Sequence, residues 1–139
     1  MNDLAEKVIE LRLASRRACM CENQDNNKKS TLSLRTKVMY LIRKGFSPKE
    51  ISLKLCIAKA NLALITSALA KDGLIVKSHK SKDKREISFD LTAKGDRALD
   101  ECLETIAQAF KNVLTGTKEK NDAIKKIDEV LEIFSYLSY

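Results

Sequence analysis

A basic cluster occupies residues 77–85 of the chain. Five of its nine residues are basic and one is acidic. The basic residues are Lys77, Lys80, Lys82, Lys84 and Arg85, and the acidic residue is Asp83. So much charge is costly to bury, so the cluster is predicted to form an exposed turn. Exposed lysines bind phosphate oxygens, which makes Lys80, Lys82 and Lys84 candidate contacts to a nucleic-acid backbone.

Arg85 is the strongest single candidate in this cluster. An arginine on an exposed turn can enter a DNA minor groove, where narrow A·T tracts concentrate negative potential. Asp83, two residues earlier, can hold the guanidinium through a charge-assisted hydrogen bond. The alternative is that both residues belong to a solvated hairpin tip with no partner.

Two short strands are predicted to present this cluster. Residues 74–76 are apolar and mostly β-branched, which is typical of a strand. On the other side of the cluster, Ile87, Phe89 and Leu91 alternate with polar residues, as in a strand with one buried face. The cluster then forms the tip of an antiparallel β-hairpin.

Two helices are predicted before this hairpin. Ser47, Pro48 and Glu50 have the types and spacing of a helix start, with a capping serine, a proline at the first helical position and a capping-box acid. A second helix is predicted from about residue 58 to residue 72. Its polar side chains are candidate contacts to a DNA groove: Lys59, Asn61, Thr66 and Ser67. Thr66 and Ser67 could instead face the domain core.

Helix, turn, helix and a charged hairpin together form a winged helix-turn-helix. In this arrangement the second helix enters the major groove and the hairpin, or wing, contacts the flanking backbone or minor groove. The fold class expected is mainly α (α+β), with residues 31–95 as the DNA-binding part. The recognition helix spans about residues 58–72 and the wing about residues 77–86.

Three short motifs in this region resemble the MarR family of bacterial transcription regulators. Residues 69–75 (LAKDGLI) are similar to the family's L-x-x-x-G-L-[IV], residues 83–85 (DKR) to the D-x-R of its wing, and residues 91–95 (LTAKG) to its L-T-x-x-G. The resemblance covers about residues 34–114. It implies a homodimer on a palindromic DNA operator, usually repressing. It also implies either a small phenolic or other effector, bound between the dimer helices and the winged helix, or a response to cysteine oxidation.

The recognition helix departs from the family in its middle. The family often has a Thr-Arg or Ser-Arg pair where this chain has Ala63 and Leu64. Arginine bidentate to guanine is the commonest specific base contact, whereas asparagine pairs with adenine and apolar side chains contact thymine methyls. The expectation is an A·T-rich site read partly through Asn61, or weaker specificity that rests on DNA shape.

The helices at the two ends of the chain are predicted to form a dimer. Apolar residues follow helical spacing over residues 3–22, in a long helix capped by Thr92, and over about residues 118–136. These faces are too extensive to be buried against one small winged helix, so residues 1–22 and 96–139 are interpreted as a dimerisation part of a single domain, 1–139. A monomer whose terminal helices fold back on themselves is the alternative.

Composition and charge reduce the number of function classes that fit this chain. The 139 residues have a net charge of +7 and 44% hydrophobic content, which allows a core and favours an anionic partner. No apolar run of about 18 residues exists and no secretory signal is recognisable, so a cytoplasmic protein without a membrane partner is expected. No catalytic set, cofactor motif or metal-ligand spacing is found, which argues against an enzyme. A protein-interaction module and a low-specificity nucleic-acid binder remain as alternatives to a regulator.

The four cysteines offer a second possible chemistry. Cys19 and Cys21, placed on the first helix beside Arg16 and Arg17, are candidate redox sensors, because neighbouring positive charge lowers a thiol pKa. The alternative is that all four cysteines are small buried hydrophobes. Cys56 and Cys102 are assigned to the core.

Overall fold

The computed structural model describes residues 1–22, 29–78 and 87–137 of the chain. The elements, in order, are α1 (Asn2–Ala18), β1 (Met20–Glu22), β2 (Lys29–Thr31), α2 (Leu34–Arg43), α3 (Pro48–Leu55), α4 (Lys59–Lys71), β3 (Ile75–Lys77), β4 (Phe89–Leu91), α5 (Ala93–Gln108) and α6 (Thr117–Ser135). The mainly α winged helix-turn-helix predicted from the sequence is confirmed.

Local sequence signals set where the central helices begin. Ser33 caps α2 by accepting a hydrogen bond from the backbone N–H of Thr36 at 3.2 Å. Ser47 caps α3 in a complete capping box, in which the Glu50 carboxylate accepts from the Ser47 N–H at 2.8 Å and the Glu50 N–H donates to Ser47 Oγ at 3.3 Å. Two orphan donors at the start of α3 are thereby satisfied, as the sequence predicts.

The core forms where α2, α3, α4 and α5 meet the base of the hairpin. Its buried side chains come from all of these elements: Val38, Met39, Ile42, Ile51, Leu62, Leu69, Ile75 and Leu99. Apolar area removed from water is the main stabilising term here, at about 25 cal/mol per Å². Since one residue from β3 and one from α5 are fully buried among the helices, the wing and the long helix are fixed to the same core.

The base of the wing is a short antiparallel ladder. Ile75 pairs with Leu91 and Lys77 with Phe89. The Ser78 N–H extends the ladder by donating to the Ser88 carbonyl at 2.8 Å. The hairpin is therefore continuous from the core to the edge of residues 79–86.

A second pair of antiparallel strands, β1 and β2, begins where the sequence predicts the end of the first helix. The helix α1 ends at Ala18 rather than near residue 22, and β1 pairs antiparallel with β2, Met20 opposite Thr31. The prediction of a helix through residue 22 is wrong because the chain turns at Cys19 and its next three residues complete a backbone ladder. The strand β1 contacts α5.

The terminal helices differ from the core helices in their burial. The helix α6 has no buried residue, and large apolar side chains are exposed along α1 and α6. The long helix α5 also ends earlier than its apolar pattern suggests, at Gln108 rather than near Leu114. Its last turn tightens, since the N–H groups of Ala109 and Phe110 donate to carbonyls three residues back at 3.1 Å.

Candidate nucleic-acid interface

The recognition helix α4 is set at a large angle to α3. The chain bends by 115° between the two helices, within the range of a helix-turn-helix. Cys56 makes the turn in the left-handed region, with φ of 53°, and the hydroxyl of Ser52 donates to the Ile57 carbonyl at 2.8 Å. The assignment of Cys56 to the core is wrong: its side chain is exposed because the turn directs it outward.

One face of α4 is buried and the opposite face is open. Leu62, Thr66 and Leu69 are buried against the core. Three of the predicted groove contacts are exposed: Lys59, Asn61 and Ser67. Leu64, two residues from both Leu62 and Thr66, points away from the core and is 72% exposed.

Thr66 is the exception among the predicted groove contacts. Its side chain is only 7% exposed. Its hydroxyl lies 3.1 Å from the Leu62 carbonyl and 3.2 Å from the Ala63 carbonyl, within the helix itself. Thr66 therefore faces the core, which was the alternative for this residue, and the structure removes it from the groove contacts.

The C-terminal end of α4 is hydrogen-bonded to α2 and to the start of α5. Arg35 of α2 donates to the Asp72 carboxylate at 2.5 Å. From α5, Lys94 donates to the Asp72 carbonyl at 2.9 Å and Thr92 to the Gly73 carbonyl at 2.6 Å. The hydrogen bond from Arg35 holds the pKa of the Asp72 carboxyl below its ordinary value. These contacts fix the direction in which α4 presents its open face.

The wing continues this surface. Lys77 is exposed on β3, a strand that contacts α4. The remaining wing candidates lie outside the described residues: Lys80, Lys82, Asp83, Lys84 and Arg85. Their roles stay predictions, and the chain on either side of them is paired as far as Ser78 and Ser88.

A separate crevice of about 420 Å³ lies between α2, α3 and α5. Its walls are mostly apolar, from Leu41, Leu55, Leu99, Leu103 and Ile106. Polar groups also line it, from Thr36, Lys37, Tyr40 and Lys54. An apolar cavity with a few polar groups is suited to a small molecule, and two lysines favour an anionic one. Sequence reasoning did not pick out these residues because they lie on three helices.

The cysteines are dispersed. Cys19 is half-buried in the turn after α1, and Cys21 lies in β1, so the pair is not on one helix as predicted. Cys102 is half-buried, with its sulfur 3.8 Å from the Thr36 hydroxyl. The redox role of Cys19 and Cys21 stays a prediction.

In residues 1–22, 29–78 and 87–137, no three His, Cys, Asp or Glu side chains are grouped so that they could hold a metal ion. Over the same ranges, no single helix is long and apolar enough to cross a membrane, and only α3 and α4 taken together, as a bent pair, reach that length and composition.

Known proteins resemble this chain in sequence and in fold. The sequence model of the MarR family matches residues 38–87. The HTH-type transcriptional repressor YetL of Bacillus subtilis (strain 168) is 29% identical over 91 residues, which are 64% of this chain and 54% of YetL. The chain therefore spans about half the length of this relative.

Solved structures match over most of the chain. A mutant of MarR from E. coli, solved in complex with operator DNA, has a TM-score of 0.58 at 18% identity, and the match covers 93% of this chain and 94% of that chain. NadR in complex with 4-hydroxyphenylacetate has a TM-score of 0.65 at 21% identity, over 99% of this chain and 93% of that chain. At such identities the likeness establishes the fold.

Proposed function

We propose that this chain is a MarR-family transcription regulator that acts in the cytoplasm as a homodimeric repressor on an inverted-repeat DNA operator. The observation that carries the proposal is the open face of α4, which is set 115° from α3 and flanked by the β3–β4 pair, whose connecting residues 79–86 include four basic ones in the sequence. Lys59, Asn61 and Ser67 contact the major groove, and Lys80, Lys82, Asp83, Lys84 and Arg85 form the contact of the wing.

Repression is supported by the likeness to YetL, which bears the name of a transcriptional repressor. DNA binding is supported by the fold shared with MarR on operator DNA. A repressor acts by occupying its operator, so the proposal asks of this chain only that it bind DNA. The absence of arginine from α4 favours A·T-rich half-sites over G·C-rich ones.

The dimer is supported by the exposed apolar faces at the two ends of the chain. Ile127 is 57% exposed and Leu131 58% exposed, four residues apart on α6. A cavity of about 790 Å³ opens beside them, between α5 and α6, and its apolar lining includes Phe110 and Leu114. Apolar surface of this extent is usually covered by a partner, and a second copy of the chain supplies the same helices about a two-fold axis.

The crevice between α2, α3 and α5 is proposed as the site of a small anionic effector. NadR, of similar fold, was solved with 4-hydroxyphenylacetate. In this chain the lysines at positions 37 and 54 provide positive charge at a mostly apolar site. A ligand bound in this crevice would lie between α5 and the helix-turn-helix. It would therefore change the distance between the two recognition helices of a dimer.

The proposal is tested by selecting duplexes from a random DNA pool with the purified protein and titrating the enriched duplexes with salt. An enriched inverted repeat with half-sites about one helical turn apart is expected. Affinity should fall steeply as salt rises, because the wing releases counterions from phosphates. Absence of binding at low salt would contradict the proposal and favour the protein-interaction module.

A further inference from the structure

We infer that Leu64 is a specificity-determining residue that reads thymine through its 5-methyl group. The inference rests on the proposed binding of DNA by α4 and adds to it the base that is read and the side chain that reads it. It concerns a direct contact, as distinct from a preference for A·T-rich DNA that arises from shape.

The position of Leu64 on α4 is the first part of the argument. Successive residues of a helix are about 100° apart, so a residue two positions from the buried Leu62 and Thr66 lies on the opposite side. Leu64 therefore occupies the middle of the open face. It is the sixth residue of α4, in the half of a recognition helix that contacts base edges.

The exposure of Leu64 is the second part. A leucine side chain that is 72% exposed leaves most of its apolar surface in water, although the core beneath α4 is well formed. Contact with another apolar group would remove that surface from water. In the major groove of DNA the thymine 5-methyl is the apolar group available to it.

The neighbours of Leu64 favour DNA over an apolar protein partner. Ala60 and Ala63 are small enough to let the helix approach the groove floor, and both are exposed. Asn61, three residues before Leu64, is exposed and can pair with adenine. Lysines lie at both ends of α4, at positions 59 and 71, where they can meet the two backbones that border a groove.

The test uses the duplex enriched from the random pool. Each thymine is replaced in turn by deoxyuridine, which removes only the methyl group. Binding is measured by fluorescence anisotropy for the full-length wild type, for Leu64→Ala and for the control Leu53→Ala. Leu53 is also an exposed leucine, 51% exposed, but lies on α3.

We expect the wild type to lose about three- to fivefold in affinity at one or two thymines in each half-site, the effect of one methyl contact. Leu64→Ala should bind the thymine and uracil duplexes equally, while Leu53→Ala keeps the wild-type difference. Circular dichroism checks that both variants remain folded.

The contrary outcomes are distinguishable from failure of the proposed function. If an inverted repeat is enriched but deoxyuridine has no effect, or if its effect persists in Leu64→Ala, this inference is overturned and operator binding stands. Binding to DNA without any enriched sequence also overturns it, because α4 then reads no base. Absence of DNA binding overturns both.

Discussion

Gly95 lies against the carbonyl of Leu74: a Cβ at position 95 would overlap the carbonyl oxygen and come within 3.1 Å of the carbonyl carbon. The same oxygen accepts a hydrogen bond from the Thr92 N–H at 3.0 Å. Thr92 also caps α5 by accepting from the Gly95 N–H at 3.0 Å. The spacing of threonine and glycine in the LTAKG motif thus has a physical basis in this chain, because glycine lets the start of α5 approach the backbone that leads into β3.

Gly95→Ala should destabilise the fold. The obstacle is backbone, which cannot rotate away, so relief requires α5 to shift, at a cost of about 1–3 kcal/mol in the free energy of unfolding. Urea denaturation followed by circular dichroism measures the change. Gly116→Ala is the control, since the atoms nearest to its Cβ belong to the Glu119 carboxylate, the far end of a side chain that can move. Equal unfolding midpoints for Gly95→Ala and the wild type would contradict the packing argument.

The contact between Arg35 and Asp72 should make stability depend on pH in acid. Arg35 holds the pKa of Asp72 below its ordinary value of 3.8 in the folded protein. A carboxyl with a depressed folded pKa stabilises the fold fully above its unfolded pKa, and this contribution is lost as the pH falls through the folded value. Asp72→Asn should therefore be less stable than the wild type near pH 7, and the gap should close below about pH 4.

The measurement is the urea midpoint of both proteins from pH 7 to pH 3. Asp122→Asn, the same chemical change on the exposed surface of α6, is the matched control. The pair is exposed, so its effect is small. A gap of constant size over the whole pH range would mean that Asp72 acts through something other than its charge.

Much of the fold follows from local signals in the sequence. The cap at Ser47, the cap at Thr92 and Gly73, whose φ is 74°, each depend on residues within one turn of the chain. Strand alternation around residues 87–91 likewise predicts the base of the wing. These features are predictable because neighbouring residues make the contacts that decide them.

Features that depend on contacts between residues far apart in the sequence are not predictable from the sequence pattern. Arg35 and Asp72 are 37 residues apart, and no spacing rule connects them. Thr66 is polar, yet packing places it in the core, where its own helix supplies acceptors. The sequence does not predict the β1–β2 pair because Met20, Cys21 and Glu22 continue a helical pattern, and the pairing that overrides it comes from residues 29–31. The sequence thus predicts which regions form the candidate site, but not which of their side chains are exposed there.

Charges on the apolar face of α6 should convert the proposed dimer to a monomer. Replacing both Ile127 and Leu131 by aspartate would place two like charges on each copy in a surface that association would bury. Light scattering after gel filtration should show the monomer mass of 15.6 kDa for this variant and about twice that mass for the wild type. Lys126→Asp, an acidic substitution at the adjacent exposed position of α6, should leave the dimer intact. A wild type of monomer mass at micromolar concentration would rule out the dimer.

Arg85→Ala should weaken operator binding without unfolding the protein. Loss of a minor-groove arginine is expected to cost about 1–3 kcal/mol in binding free energy. Lys77→Ala, at the end of β3, should cost less and should reduce the salt dependence of binding, because it removes one positive charge beside the wing. Anisotropy titrations at several salt concentrations separate the two effects. Unchanged affinity of Arg85→Ala would remove this residue from the interface.

The crevice between α2, α3 and α5 should bind small aromatic carboxylates, and 4-hydroxyphenylacetate is the first probe. Its ring matches the apolar walls from Leu99 and Leu103, and its carboxylate can pair with Lys37. Charge-assisted hydrogen bonds contribute about 1.5–3 kcal/mol, so Lys37→Met should weaken binding by about tenfold or more. Lys126→Met on α6 is the control that removes a lysine outside the crevice and should bind as the wild type does.

Isothermal titration calorimetry measures the affinities, and a parallel titration of the protein on its enriched duplex shows whether the ligand releases DNA. Equal affinities for the wild type and Lys37→Met would place the carboxylate elsewhere, and absence of heat with a series of aromatic acids would mean that the crevice is not an effector site for this class.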